Sequence, residues 1–211
     1  MSKVTDLRTG KRRGKQVNIF LDGKFAFSLQ AEVAAEEDLR IGQQLSADQI
    51  AALARSDQFH RCLHAANRYL SYRPRSEAEV KNQLHRHGFD DDSIEAALAK
   101  LREQGLVGDV AFAQFWKDSR ESFSPRSQWL TSLELKRKGV VDEVIDQVVG
   151  VMDDVDSAYR AALSKAHRLS QSDYQAFRRR LGDYLRRRGF SYGVVNHTLE
   201  RVWEEFGGSP G

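Results

Sequence analysis

The sequence predicts a mainly α-helical protein built of tandem three-helix units, about nine helices in all, stacked into an extended array behind a small N-terminal β-hairpin or three-stranded β extension. The first observation behind this is a phrase written three times at intervals of 51 and 50 residues: a leucine, three basic residues, a glycine and an apolar residue. The copies are Leu84-His85-Arg86-His87-Gly88-Phe89, Leu135-Lys136-Arg137-Lys138-Gly139-Val140 and Leu185-Arg186-Arg187-Arg188-Gly189-Phe190. Basic residues followed by a glycine end a helix, because the charges complement the helix dipole and the glycine takes the left-handed C′ conformation. The second observation is the apolar set that follows each glycine: Ile94, Leu98 and Leu101, then Ile145, Val149 and Met152, then Val195, Leu199 and Val202. Steps of four and three are one face of a helix. The third is the residues 17–29, where two apolar runs flank Asp22-Gly23-Lys24, a strong hairpin signal.

Taken in order, Val17–Leu21 and Phe25–Leu29 are the predicted strands, and Val4–Thr9 adds a third beyond the basic loop Gly10-Lys11-Arg12-Arg13-Gly14-Lys15. A short helix is expected over 31–37. Ser46 and Gln49 form a capping box that opens a longer helix through Leu70, with a kink near Ser56. Pro74-Arg75-Ser76 ends that helix and starts the next, with Ser76 and Glu79 as a second capping box; Pro125-Arg126-Ser127 repeats the signal in the middle unit. In the last unit Ser172 with Gln175 takes that role. Each unit opens on an aromatic-rich helix, marked by Tyr69, by Phe112, Phe115 and Trp116, and by Tyr159. The expected divisions are 1–57 for the β extension with short helices, then three-helix units over 58–109, 110–153 and 154–211.

Of 211 residues, 40% are hydrophobic and 30% charged, with no apolar run of membrane-spanning length, which predicts a soluble chain able to bury a core. Basic residues near the start lead into no apolar h-region, so no secretory signal is expected. One cysteine, Cys62, forms no intramolecular disulfide and fits a reducing cytoplasm. The net charge of +3 is unevenly spread: +1 over 1–57, 0 over 58–109, −2 over 110–155 and +4 over 156–211. A polyanion is favoured at the C-terminal end, and the acidic middle, with Glu32, Glu36, Glu37 and Asp38, leaves room for a protein partner.

Enzyme chemistry is not expected, nor a cofactor. The loop at 10–15 has three residues between its glycines where a phosphate-binding P-loop needs four, and Gln16 replaces the magnesium-binding hydroxyl. His60, Cys62 and His64 supply ligand types, but on a helix Cys62 projects away from the two histidines, so a structural histidine pair is the better reading and no metal is expected.

The tandem units, the Arg75-Ser76 start, Gly105-Leu106-Val107-Gly108-Asp109-Val110-Ala111-Phe112-Ala113 with Trp116 and Arg120 following, and Glu134-Leu135-Lys136-Arg137-Lys138-Gly139-Val140 resemble the RecX family of bacterial regulators of the RecA recombinase. The resemblance covers roughly 60–206, with the N-terminal hairpin outside it, similar to extensions of some members. It implies an elongated, curved array that binds RecA and the RecA-DNA filament and damps its ATPase and strand exchange. It implies a cytoplasmic, monomeric regulator in homologous recombination, DNA repair and the SOS response. The alternative is a helical-repeat protein that acts by occupying single- or double-stranded DNA directly.

The candidate contacts to partner or DNA are basic. Arg178, Arg179, Arg180, Arg186, Arg187 and Arg188 form a broad basic surface if they share one helix, suited to phosphate oxygens. Lys136 and Lys138 also serve the helix dipole. Arg73 and Arg75 lie at a turn, with Arg126 in the matching place of the next unit. Lys117 and Arg120 follow the Phe-Ala block. Structural roles fall to Gly88, Gly139 and Gly189 as left-handed caps, to Asp109 as the N-cap of its helix, and to Phe112 and Ala113 as core. Phe115 and Trp116 are likewise expected in the core.

Overall fold

The computed structural model describes residues 1–10, 15–169 and 173–206. The loop Lys11–Gly14 and the expected cap Ser172 lie outside the described residues. Strands β1 (Ser2–Thr9), β2 (Gln16–Leu21) and β3 (Lys24–Gln30) pair antiparallel as expected. Asp22 and Gly23 both take positive φ, 51° and 79°, so the hairpin turn twists with its strands. Its tip is tied to β1: Lys3 N–H donates to Asp22 Oδ1 at 3.0 Å and Gly23 N–H to Thr5 Oγ1 at 3.0 Å. A fourth strand, β4 (Gln44–Leu45), pairs with the start of β1 and gives the order β3-β2-β1-β4. The sequence reading stopped at three strands because a two-residue bridge has no alternation to detect.

Ten helices follow among the described residues: α1 (Ala31–Glu36), α2 (Ala47–Leu70), α3 (Glu77–Arg86), α4 (Asp91–Glu103), α5 (Asp109–Phe123), α6 (Gln128–Arg137), α7 (Asp142–Val149), α8 (Asp154–Ala166), α9 (Tyr174–Arg187) and α10 (Tyr192–Glu205). They form α1 and three triplets. Helix α2 runs unbroken through Ser56. Its first half closes the sheet core of Val4, Ile19, Leu29, Val33, Leu45 and Leu53, and its second half gives Cys62 and Ala66 to the first helical core. Asp57, buried on α2, accepts from Gln30 N–H at the start of α1. That bond satisfies an N–H that α1 itself leaves open.

Each triplet has its own apolar cluster, and all nine residues of the repeated apolar set are buried. Met152 lies beyond the end of α7, not on it. Phe112 and Ala113 are core and Trp116 is half-buried, but Phe115 is 39% exposed and so is not a core residue. The chain divides into two compact units, residues 1–75 with 80–107 and residues 76–79 with 108–211.

The repeated phrase is a helix-ending motif. In each copy the N–H after the glycine donates to the carbonyl of the leucine (Phe89 to Leu84, Val140 to Leu135, Phe190 to Leu185), and the glycine N–H donates to the residue after the leucine. This is the Schellman pattern, with leucine and apolar residue in its usual hydrophobic contact positions. Gly88, Gly139 and Gly189 stand at φ 82°, 80° and 86°. Leu84, Leu135 and Leu185 are buried beneath them.

In the second compact unit these turns dock onto the Pro-Arg-Ser starts. Ser76 Oγ accepts from Glu79 N–H and donates to the carbonyl of Lys138 at 2.6 Å, completing the expected capping box with Glu79. Ser127 Oγ accepts from Leu130 N–H, and Ser127 N–H donates to the carbonyl of Arg188. Both serines are fully buried. Asp109 does not cap α5, whose N-cap is Gly108; its carboxylate accepts from Glu77 N–H at 3.0 Å, and Asp154 does the same for Gln128 N–H at 2.7 Å. One aspartate at the start of a later helix thus satisfies an orphan donor of an earlier one. At α9 the cap among the described residues is Asp173, which accepts from the Gln175 and Ala176 N–H groups.

Candidate functional site

Helix α9 buries Phe177, Leu181, Gly182 and Leu185 along one stripe, which turns the flanking arginines outward. The six arginines separate into three groups. Arg178, Arg179 and Arg186, with Gln175 of α9 and Tyr192 and Asn196 of α10, line a groove of about 270 Å³ floored by Gly182, Val195 and Leu199. Arg180 and Arg187 line a second hollow with Lys165, Leu169 and Asp183. Arg188 turns inward: its Nη1 donates to Ser124 Oγ at 3.0 Å and to the Pro125 carbonyl at 2.8 Å, and its guanidinium lies 4.5 Å from the centre of the Tyr184 ring. Arg186 is paired with Asp183. Arg178, Arg179, Arg180 and Arg187 are exposed and make no ion pair among the described residues, so four cations stand open to an anion.

Arg120, Arg126, Lys117 and Lys138 of the middle triplet are largely covered, while Lys136 and Arg137 are exposed. Glu134, 11% exposed, accepts from Trp116 Nε1 at 2.8 Å and Arg120 Nε at 2.8 Å and pairs with Arg126. Burial lowers the pKa of Arg120, and burial with the neighbouring charges of Arg120 and Arg188 lowers that of Arg126. Lys138 pairs with Glu79 at 3.0 Å and sits 4.2 Å above the Trp116 ring. Lys117 is largely covered, with Asp118 at 3.9 Å. Lys136, on the surface, pairs with Asp142, whose hydrogen bond raises its pKa. At the earlier turn Arg73 Nη1 donates to the Pro74 carbonyl, and Arg75 stacks 4.2 Å from the Tyr69 ring centre. Arg75 and Arg126 occupy matching sequence places but have different partners, because Glu134 has Gln83 as its counterpart in the first triplet.

Sequence reasoning missed Tyr192, Gln175 and Asn196. Tyr192 falls in step with Val195, Leu199 and Val202, so periodicity buries it, yet it is 72% exposed. His60 and His64 meet α1: His60 Nε2 lies 3.1 Å from Glu36 and His64 Nε2 2.9 Å from Glu32. Cys62 faces the core instead, and burial, helped by Asp90, pushes its thiol up to about 11. Such a thiol is inert at neutral pH. Among the described residues no helix is long and apolar enough to cross a membrane.

An antiparallel sheet followed by three-helix units that dock turn onto cap defines a helical-repeat protein with an appended β module. Family models agree: the regulatory protein RecX N-terminal domain matches residues 2–46, the first RecX three-helix domain residues 62–101, and the third residues 153–199. The chain belongs to the RecX family. It is 31% identical over 208 residues to the regulatory protein RecX of Bacillus licheniformis, covering 96% of this chain and 78% of that one. It is 28% identical to that of Clostridium beijerinckii, covering 96% of each. A crystal structure of regulatory protein RecX superposes with a TM-score of 0.71 at 26% identity, over 95% of this chain and all of that one. The crystal structure of RecX from Lactobacillus salivarius, at 24% identity and TM-score 0.60 over 71% of this chain, shares the fold. The match at 2–46 carries the likeness to the family beyond the 60–206 of the sequence reading, to the N-terminal sheet.

Proposed function

We propose that this chain binds the RecA recombinase and its DNA filament and lowers RecA ATPase and strand exchange without chemistry of its own. Membership of a family of regulatory proteins along nearly the whole chain carries this reading. The physics of repeats supports it: successive units offer successive surfaces, and weak contacts to successive sites of a filament add as one multivalent contact. The open cations Arg178, Arg179, Arg180 and Arg187 are the residues we assign to the phosphate backbone, while Arg120 and Arg126 are held by Glu134 within the middle triplet and Lys138 by Glu79 of α3. The role belongs in the cytoplasm, in recombination and repair, with the protein acting as a monomer.

A RecA ATPase assay on single-stranded DNA, titrated with the chain, tests this reading. Turnover should fall toward a plateau as the protein saturates the filament; unchanged turnover at saturation contradicts it. The same four unpaired arginines favour a second reading, action by occupying DNA alone. Salt separates the two, since binding through phosphates weakens by about 0.7 to 0.9 log units per log unit of salt for each phosphate neutralised, whereas protein contacts persist.

A further inference from the structure

We propose that the groove between α9 and α10 seats one unpaired nucleotide of a nucleic-acid single strand, its phosphates on Arg178 and Arg179 and its base on Tyr192. The proposal rests on the reading that the basic face of α9 meets the DNA of the filament, and gives that face a defined subsite.

Gly182 opens the floor. It is buried against α10, where a Cβ would already touch Leu199 at 3.5 Å and Val195 at 3.9 Å, so a larger side chain would occupy the space between the helices. Arg178 and Arg179 stand on the α9 side with no ion pair among the described residues, and their planar forks keep all their donors for phosphate oxygens. From α10 comes Tyr192, an aromatic ring left 72% exposed beside these charges. Gln175 and Asn196 line the same groove and carry amides that both donate and accept, as base edges require. A volume of about 270 Å³ is near the lower end of ligand sites, roughly 300 Å³, and matches one base better than a large ligand.

The chemistry selects a single strand. Bases within a duplex have both faces covered by their neighbours, so an exposed ring gains stacking only from an unpaired base. An acidic protein segment would use the arginines and the amides but would offer the tyrosine no planar base to stack on.

The experiment is fluorescence anisotropy of the chain with labelled oligothymidylate, the matching duplex, and thymidine monophosphate as competitor. Tyr192→Ala is expected to weaken single-strand binding about ten-fold and leave duplex binding unchanged, with Tyr192→Phe retaining the wild-type affinity. Arg178→Gln with Arg179→Gln should lower the slope of log affinity against log salt by about 1.4. Melting temperatures of the variants serve as the folding control, and surface positions of this kind should leave them unchanged. Single-strand affinity untouched by Tyr192→Ala, equal losses on strand and duplex, or a monophosphate that binds as tightly as the strand would each overturn the proposal. The subsite fails separately from the functional reading: if the wild type inhibits RecA ATPase but Tyr192→Ala binds the strand normally, only the subsite is lost.

Discussion

A Cβ atom placed on Gly139 would stand 2.4 Å from the Cβ of Ala78, closer than two carbons approach. Glycine is therefore required twice at this position, once for its φ of 80° and once for the room it leaves the first turn of α3. Gly88, in the same motif at φ 82°, has nothing within 4 Å of the corresponding point.

The pair yields a controlled comparison. Gly88→Ala should cost only the backbone strain, about 1 kcal/mol, whereas Gly139→Ala adds the collision and should cost on the order of 3 kcal/mol. Thermal melting reads the difference. Adding Ala78→Gly to Gly139→Ala should recover part of the loss, a coupling that strain alone would not produce. Equal melting temperatures for the two alanine variants would show that the contact is unimportant.

Asp154 is the site of a pH effect. Burial, with a smaller contribution from Asp153, raises its pKa above the ordinary carboxylate value, against the lowering effect of the Gln128 N–H bond. The folded state then holds a proton that the unfolded state releases, so this group's stabilisation is present below its ordinary pKa and is lost as pH rises through the raised one. Asn at 154 keeps an oxygen for Gln128 N–H and carries no charge. Relative to Asp154→Asn, the wild type should therefore lose stability on going from acidic to neutral pH, while Asp154→Ala should cost about 1 kcal/mol through the lost cap. Parallel pH dependences of melting for wild type and Asp154→Asn would contradict this.

Glu134 holds two arginines and the Trp116 indole from a nearly buried position. Glu134→Ala leaves Arg120 and Arg126 half-buried and facing each other without their shared anion, and should cost on the order of 3 kcal/mol. Thermal melting followed by circular dichroism is the readout. A melt like the wild type's would mean the arginines find water instead.

Arg188 and Arg187 are neighbours in sequence with opposite duties. Arg188→Gln removes two hydrogen bonds to the turn at Ser124 and Pro125 and should lower stability by about 1 to 2 kcal/mol. Arg187→Gln should leave melting within about 0.5 kcal/mol of wild type. If Arg188→Gln is as stable as Arg187→Gln, the inward bonds contribute nothing.

These positions also show how far the sequence reaches. The thrice-repeated phrase fixes three helix ends because every bond of the motif falls within six residues, so Leu135, Gly139 and Val140 can be assigned roles without a fold. Asp109 looked like a local cap because its true partner, the N–H of Glu77, lies 32 residues upstream. Arg188 was grouped with five other arginines because a helical run shows charge but not the turn 63 residues away that takes one of them. Tyr192 keeps step with a buried stripe and is nevertheless 72% exposed. Local rules were legible; distant partners and the exposure of Tyr192 were not.

The most direct test of the functional account is RecA ATPase on single-stranded DNA, measured against rising concentrations of this chain and of a variant with Arg178, Arg179 and Arg187 changed to glutamine. The account predicts that the wild-type chain lowers turnover to a plateau and that the variant, melting at the same temperature, needs a higher concentration to do so. Turnover that stays constant at saturating wild-type chain would contradict it.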